Sequence, residues 1–267
     1  MKRFCPLASG SKGNALYLEG EETKVLIDVG ISFKALTERL GEINVDVGEI
    51  DAILVTHEHG DHIRGLEKTA GMLDIPIFAN SETAKATLKE MKSRPRFKIF
   101  STGETFEFGE LEIHPFSVQH DTLDPVGFTF CIDGIKLGIC TDLGFATTLV
   151  RMSLLECDYL YLEANHEPSM VYACNRPMIY KQRVLGRQGH LSNEGAAALL
   201  SEVDHPHLKH VYLAHLSSEC NSPELAIQRV RERLNRDLSL SIAYQDKISQ
   251  LIELGIYPFQ FKGTQVG

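Results

Sequence analysis

The sequence has no surplus of cations: 27 Lys and Arg stand against 36 Asp and Glu, a formal charge of −9. Coating nucleic acid by bulk charge is excluded on that count, because non-specific phosphate binding needs cations that displace counterions. Glycine and proline are scarce, 21 and 10 in 267 residues, which excludes collagen-like, low-complexity and disordered chains. The six cysteines form no CxxC pair and several sit in apolar runs, so they read as buried thiols and not as a disulfide framework or a thiolate zinc site. No window approaches ~18 uncharged apolar residues. The start, Met1-Lys2-Arg3-Phe4-Cys5-Pro6-Leu7, lacks the apolar stretch and cleavage site of a signal peptide, so a cytoplasmic location without a membrane partner is expected. No linker, charge block or tandem repeat divides the chain, and a single domain over residues 1–267 is expected.

What is present is an ordinary globular pattern of strands and helices. Asn14 to Leu18 and Thr23 to Ile27 read as a hairpin, Ser32 caps a helix carrying Phe33, Leu36 and Leu40, and Ile50 to Thr56 is a strand. Ile63 to Leu73 reads as a helix, Pro76 to Ala79 as a strand, Ser81 to Lys92 as a capped helix, and Phe97 to Asp142 as a β-rich stretch. Beyond it, strands at Asp158–Glu163 and Val211–Ala214 alternate with helices at Asn193–Val203 and Pro223–Leu234. Strands in both halves interleaved with helices predict a layered α/β fold in which helices cover two stacked sheets.

The sharpest local feature is Thr56-His57-Glu58-His59-Gly60-Asp61-His62, directly after the apolar strand Ile53-Leu54-Val55. The HxHxDH spacing places His57, His59, Asp61 and His62 at the mouth of a strand, a poor choice for a core and a good one for divalent cations. His120, Asp142 and His215 each follow a predicted strand, so one rim of the sheets can gather all seven groups. Seven exceed the needs of one tetrahedral ion and suit two ions sharing a carboxylate.

Asp28, His57-x-His59-x-Asp61-His62, His120, Asp142 and His215, in this order, resemble the metallo-β-lactamase superfamily, whose fold is an αββα sandwich of four layers. The resemblance implies that His57, His59 and His120 hold a first ion and Asp61, His62 and His215 a second, with Asp142 bridging and Asp28 orienting the ligand loop. His-rich ligation admits Zn, and the two carboxylates also admit Mn or Fe. Two such ions about 3.5–4 Å apart acidify a shared water, so hydrolysis with hydroxide as nucleophile is the expected reaction. Leu162-Glu163-Ala164-Asn165-His166 and Gly189-His190-Leu191-Ser192 are similar to elements of phosphodiesterases related to ribonuclease Z, which implies that His190, oriented by Glu163, serves a phosphate substrate.

Further motifs, Leu7-Ala8-Ser9-Gly10-Ser11-Lys12-Gly13-Asn14, His120-Asp121, Pro125-Val126-Gly127-Phe128, Thr141-Asp142-Leu143-Gly144 and Leu213-Ala214-His215-Leu216-Ser217, resemble the bacterial YycJ (WalJ) group of metal-dependent nucleases. That resemblance implies 5′-to-3′ exonuclease action on DNA in preference to RNA. A ribonuclease Z-like RNA-processing nuclease and a glyoxalase II-like thioester hydrolase stay open as alternatives. Asp61, His190 and Glu163 are the candidates for catalytic work. Ser9, Gly10 and Asn14 either sit over the metals or form a plain turn, and His166 either lines the substrate groove or caps a turn. Ser192 opens a helix whose first turn suits phosphate. Residues 168–193 carry Arg176, Lys181, Arg183 and Arg187 with no acid, and residues 85–98 carry six cations against Glu90. The acidic surplus therefore lies elsewhere, and a narrow cationic track ending at metals is compatible with the overall charge.

Overall fold

The computed structural model describes residues 2–255 and arranges their strands as two sheets of seven. Residues 1 and 256–267, the ends of the span expected to form one domain, lie outside the described residues. The first sheet runs β1 (Arg3–Ala8), β2 (Ala15–Glu19), β3 (Lys24–Ile27), β4 (Ala52–Leu54), β5 (Ile77–Asn80) and β6 (Phe97–Phe100) in spatial order. The second runs β7 (Phe106–Phe108), β8 (Leu111–Ser117), β9 (Val126–Ile132), β10 (Ile135–Cys140), β11 (Tyr159–Glu163), β12 (His210–Ala214) and β13 (Ser239–Ile242). A last strand, β14 (Ile252–Glu253), returns to pair antiparallel with β1.

Strand periodicity explains the layering. In β3, Val25 and Ile27 point between the sheets, where they meet Phe128, Phe130 and Ile139 of the second sheet, while Leu26 points outward. The outward row, with Tyr17, Ile53 and Val55, packs under α1 (Phe33–Glu42), α2 (Gly60–Ile63), α3 (Leu66–Leu73) and α4 (Ser81–Glu90) through Leu36, Leu40, Leu66 and Ala84. On the other side, Cys140, Leu160, Leu162 and Leu213 pack under α5 (Thr148–Leu154), α8 (Asn193–Val203) and α9 (Pro223–Arg233), with α6 (Pro168–Ala173) and α7 (Met178–Leu185) set over the strand ends. Both faces of each sheet are thus buried, which gives the four αββα layers, and truncating a ring such as Phe128 to Ala should cost about 3–5 kcal/mol.

The structure differs from the sequence reading in several places. The helix expected from Ile63 to Leu73 is broken, because the Gly65 amide leaves the helical ladder to donate to Val29 O (2.8 Å) and a Cβ there would lie 1.9 Å from Ile31 O. The helix expected over Ser81–Lys92 ends at Glu90 and is capped by Asn80, whose Oδ1 accepts from Thr83 N at 2.9 Å. Residues 3–8 form a strand that pattern reading did not single out, and the basic segment 168–193 carries two short helices within 168–185.

Candidate metal centre

Strands β3 and β4 run parallel to each other, as do β10, β11 and β12, and β8 runs in the same sense as β10 because both are antiparallel to β9. Their C-terminal ends share one rim. Asp28, Asp142 and His215, the residues next after β3 or two after β10 and one after β12, adopt left-handed backbone with φ of 59°, 58° and 55°. Such conformations cost about 1–3 kcal/mol for a non-glycine residue and persist where surrounding bonds fix them. Here Asp28 N donates to Leu54 O and His215 N donates to Ser9 Oγ, both at 2.8 Å. Gly30 permits a second close approach: a Cβ on it would lie 1.6 Å from Asp61 O, so the ligand loop could not seat against Asn14.

All seven expected ligands are brought together. Donor atoms of His57, His59 and His120 lie within 4.8 Å of one another, as do those of Asp61, His62 and His215, and those of His57, His62 and Asp142. Asp142 lies between the groups, with Oδ2 3.3 Å from His62 Nε2 and Oδ1 3.3 Å from His215 Nδ1. Asp28 is buried behind the loop: its Oδ1 accepts from Thr56 N (2.8 Å), and its Oδ2 accepts from Thr56 Oγ1 and from His62 Nδ1 (both 2.7 Å). That bond turns His62 Nε2 toward the cluster. His120 Nδ1 donates to Gly189 O at 3.0 Å, which aims its Nε2 the same way.

The donor set fits divalent cations on a direct observation. His57 Nε2, Asp142 Oδ2 and His215 Nε2 are buried side-chain atoms with no hydrogen-bond partner, and they belong to the same cluster. Orphaned buried polar atoms are costly, and three in one imidazole and carboxylate cluster are accounted for by ions that take their lone pairs. Proton affinities divide the set. Burial and the adjacent His62 push His57 well below its ordinary value, and burial also lowers His120. Burial opposes charge on His62 and His215 as well, but Asp28 and Asp142 hold His62 well above its ordinary value. Asp142, Asp61 and Glu163 raise His215 to about 10. The first pair therefore offers lone pairs at neutral pH, and the second gives up protons when a cation binds.

Glu163, at the end of β11 and fully buried, has a wider role than orienting His190. Its Oε1 accepts from His190 Nδ1 (2.7 Å) and from His215 Nδ1 (3.0 Å), and its Oε2 accepts from the amides of Leu143 (3.0 Å) and Leu191 (3.1 Å). Burial opposes its charge, yet His190 and His215 hold its carboxyl down to about 2. His190 stands on the wall of a cavity of about 270 Å³ together with Ser11, His59, Asp61, Tyr180 and Arg183.

The expected substrate residues separate into those that reach this cavity and those engaged elsewhere. Arg183 reaches it, paired to Asp121 by its Nε (2.6 Å) and Nη2 (3.3 Å). Ser9 is 1% exposed, and its Oγ accepts from Tyr161 OH (2.6 Å) and His215 N, so it holds a ligand's backbone and does not face substrate. The Gly10 amide is spent on Asn14 Oδ1 (2.8 Å), and Asn14 Nδ2 lies 3.2 Å from Asp61 Oδ2 and 2.9 Å from His62 Nε2, bracing the loop from behind. Lys181 Nζ donates to Tyr172 O, and Arg187 lies over the Phe145 ring, so neither lines the metal cavity. His166 and Ser192 line a neighbouring cavity, and Ser192 Oγ is taken by Gly195 N at 3.1 Å. No cation of residues 85–98 lines the metal cavity. Sequence reasoning missed Tyr180 and the pairing role of Asp121; the His120-Asp121 pair was the only available signal for the latter.

The comparisons with known proteins agree with this geometry. Residues 23–216 match the model of the beta-lactamase superfamily domain. The exodeoxyribonuclease YycJ of Bacillus anthracis is 36% identical over 233 residues, covering 86% of this chain and 88% of that protein. The exodeoxyribonuclease WalJ of Streptococcus pneumoniae serotype 2 is 35% identical over 249 residues, 91% and 92% of the two chains. Among solved structures, the metallo-β-lactamase fold protein YhfI of Bacillus subtilis superposes with a TM-score of 0.75 at 13% identity, covering 95% of this chain and all of that one.

Proposed function

The chain belongs to the metallo-β-lactamase superfamily, in the group of YycJ and WalJ, and from that premise we propose that it is a dinuclear-metal nuclease. The proposed reaction is hydrolysis of phosphodiester bonds in DNA from 5′ ends. The observation that carries this reading is the Glu163–His190 pair at 2.7 Å, placed on the wall of the cavity that the metal-ligand set also lines.

When bound, the two cations supply an acidified water and positive charge opposite the phosphoryl group. His57, His59 and His120 would hold one, Asp61, His62 and His215 the other, with Asp142 between them. Glu163 accepts from His190 Nδ1–H and so orients the ring, leaving Nε2 as the nitrogen available to substrate; as the imidazolium, its Nε2–H donates to a leaving or non-bridging oxygen. Thioester hydrolysis has no use for that donor, so the pair favours a phosphodiester over the glyoxalase II-like alternative. Arg183 at the cavity wall, with Asp121 as its partner, supplies a fixed cation for the adjoining phosphate. Among the described residues no helix is long and apolar enough to cross a membrane.

The test is incubation of protein loaded with Mn or Zn with 5′-end-labelled duplex DNA, with precursor tRNA alongside. Nucleotide release from DNA, abolished in His57→Ala, is expected. No release by the wild type, or equal behaviour of the two proteins, would overturn the proposal, and faster cleavage of precursor tRNA would replace DNA with RNA.

A further inference from the structure

Behind His190 lies a second cavity of about 370 Å³, lined by Phe145, Arg151, His166, His190, Ser192 and Leu199 among others, and His190 is common to it and to the metal cavity. Its size falls in the range of small-ligand clefts, roughly 300–1,000 Å³. Three features bear on the ligand. His166 is 2% exposed and its Nδ1 has no hydrogen-bond partner. The Phe145 ring is covered by the Arg187 guanidinium at 4.1 Å from its centroid, which fixes a half-buried aromatic on the wall. The lining cation is already engaged: Arg151 Nη1 donates to Ala146 O at 2.6 Å, and its Nε pairs with Glu202.

Among the lining residues the one arginine is already paired, and Ser192 Oγ is spent on its own helix. Burial pushes His166 down to about 4, so at neutral pH the imidazole is neutral and offers one donor and one acceptor. An apolar wall with one ring and one neutral donor–acceptor group suits a heteroaromatic base, whose edge carries the complementary pattern.

We propose that this second cavity seats the nucleobase of the nucleotide whose phosphate lies at the metal centre, with His166 hydrogen-bonded to the base edge and the Phe145 ring packed against the base. The placement beside a phosphate rests on the phosphodiesterase reading above; the choice of a base over an anion rests on the cavity alone. The cavity then distinguishes a nucleic acid from other phosphodiesters, and His190 links base recognition to the reacting phosphate.

The test measures binding of dAMP and of 2-deoxyribose 5-phosphate, which carries the same phosphate without a base, to the full chain loaded with Mn. dAMP should bind about tenfold more tightly, a gain within reach of base–aromatic contact. Ala198→Phe, which fills the cavity from α8, and Phe145→Ala should each erase that preference, and Phe145→Tyr should keep it. Equal affinity of the two ligands for the wild type, or a preference that survives Ala198→Phe, would overturn the proposal. Release of nucleotides from duplex DNA by the wild type separates the two readings. Its absence alongside a dAMP preference would sink the phosphodiesterase and leave the base cavity, and the reverse result would sink only the cavity.

Discussion

The two halves of the metal centre are built alike and braced differently. On the N-terminal side, four ligands share one loop, and a buried carboxylate, Asp28, holds one of them, His62, by its Nδ1. On the C-terminal side, ligands come singly from separate strand ends, and a buried carboxylate, Glu163, holds His215 by its Nδ1. Asp28 spends its remaining capacity on Thr56, within the same loop. Glu163 spends its own on His190 and on the amides of Leu143 and Leu191, so it ties the ends of β10 and β11 to the segment before α8. A contiguous loop is held by its own backbone with Asp28 and Asn14 as local braces, whereas ligands delivered by independent strands need a common hub.

The largest test of this contrast is Glu163→Gln. It replaces the shared acceptor of two histidines, and turnover on DNA should fall by at least about 100-fold, with a loss of bound metal as well. Asp28→Asn should weaken metal binding by roughly 10–100-fold while leaving turnover largely restorable with excess metal. Metal content after dialysis and hydrolysis rates with added metal, measured on both variants, decide the matter; an Asp28→Asn protein that stays inactive at saturating metal would break the contrast.

A smaller effect is expected for Ser9→Ala, which leaves Tyr161 OH and the His215 amide without their acceptor and should cost about 1–3 kcal/mol, read as a lower midpoint of thermal unfolding. The smallest concerns Glu110, a carboxylate equally well hydrogen-bonded but remote from the rim. Partial burial raises its pKa, yet the Thr23 hydroxyl and the Glu22 and Thr23 amides outweigh it and hold the carboxyl down to about 2 from an ordinary 4.5. Because the folded value is depressed, this contribution to stability is present above pH 4.5 and is lost as pH falls toward 2. Glu110→Gln should flatten the acid limb of the stability curve and leave metal binding at pH 7 unchanged; an altered metal content would show that the bracing is not confined to the rim.

Much of the centre was legible in advance for a simple reason. His57, His59, Asp61 and His62 are neighbours in sequence, and His120, Asp142 and His215 follow apolar runs that enter one sheet in the same sense, so their ends share a rim. Helix starts at Ser32 and Ser192 were legible from capping side chains, and each does accept from the amide three residues on. The break at Gly65 was not, because it depends on Val29 and Ile31 across the layer. Nor was the double engagement of Glu163, since His215 lies 52 residues away and only the register of β11 with β12 sets them side by side.

By itself, the sequence determined the inventory: which donors exist, in what order, and at which strand ends they emerge. Tertiary structure decided how each donor is spent. Ser9, Gly10 and Asn14 look like a loop free to meet substrate until Tyr161, His215 and the ligand loop claim their polar atoms. Arg183 reaches the cavity while Lys181, two residues away on the same helix, turns to Tyr172. A hydrogen-bonding group satisfies a limited number of partners, and which partners arrive first is fixed by chain segments far apart in sequence that only packing brings together.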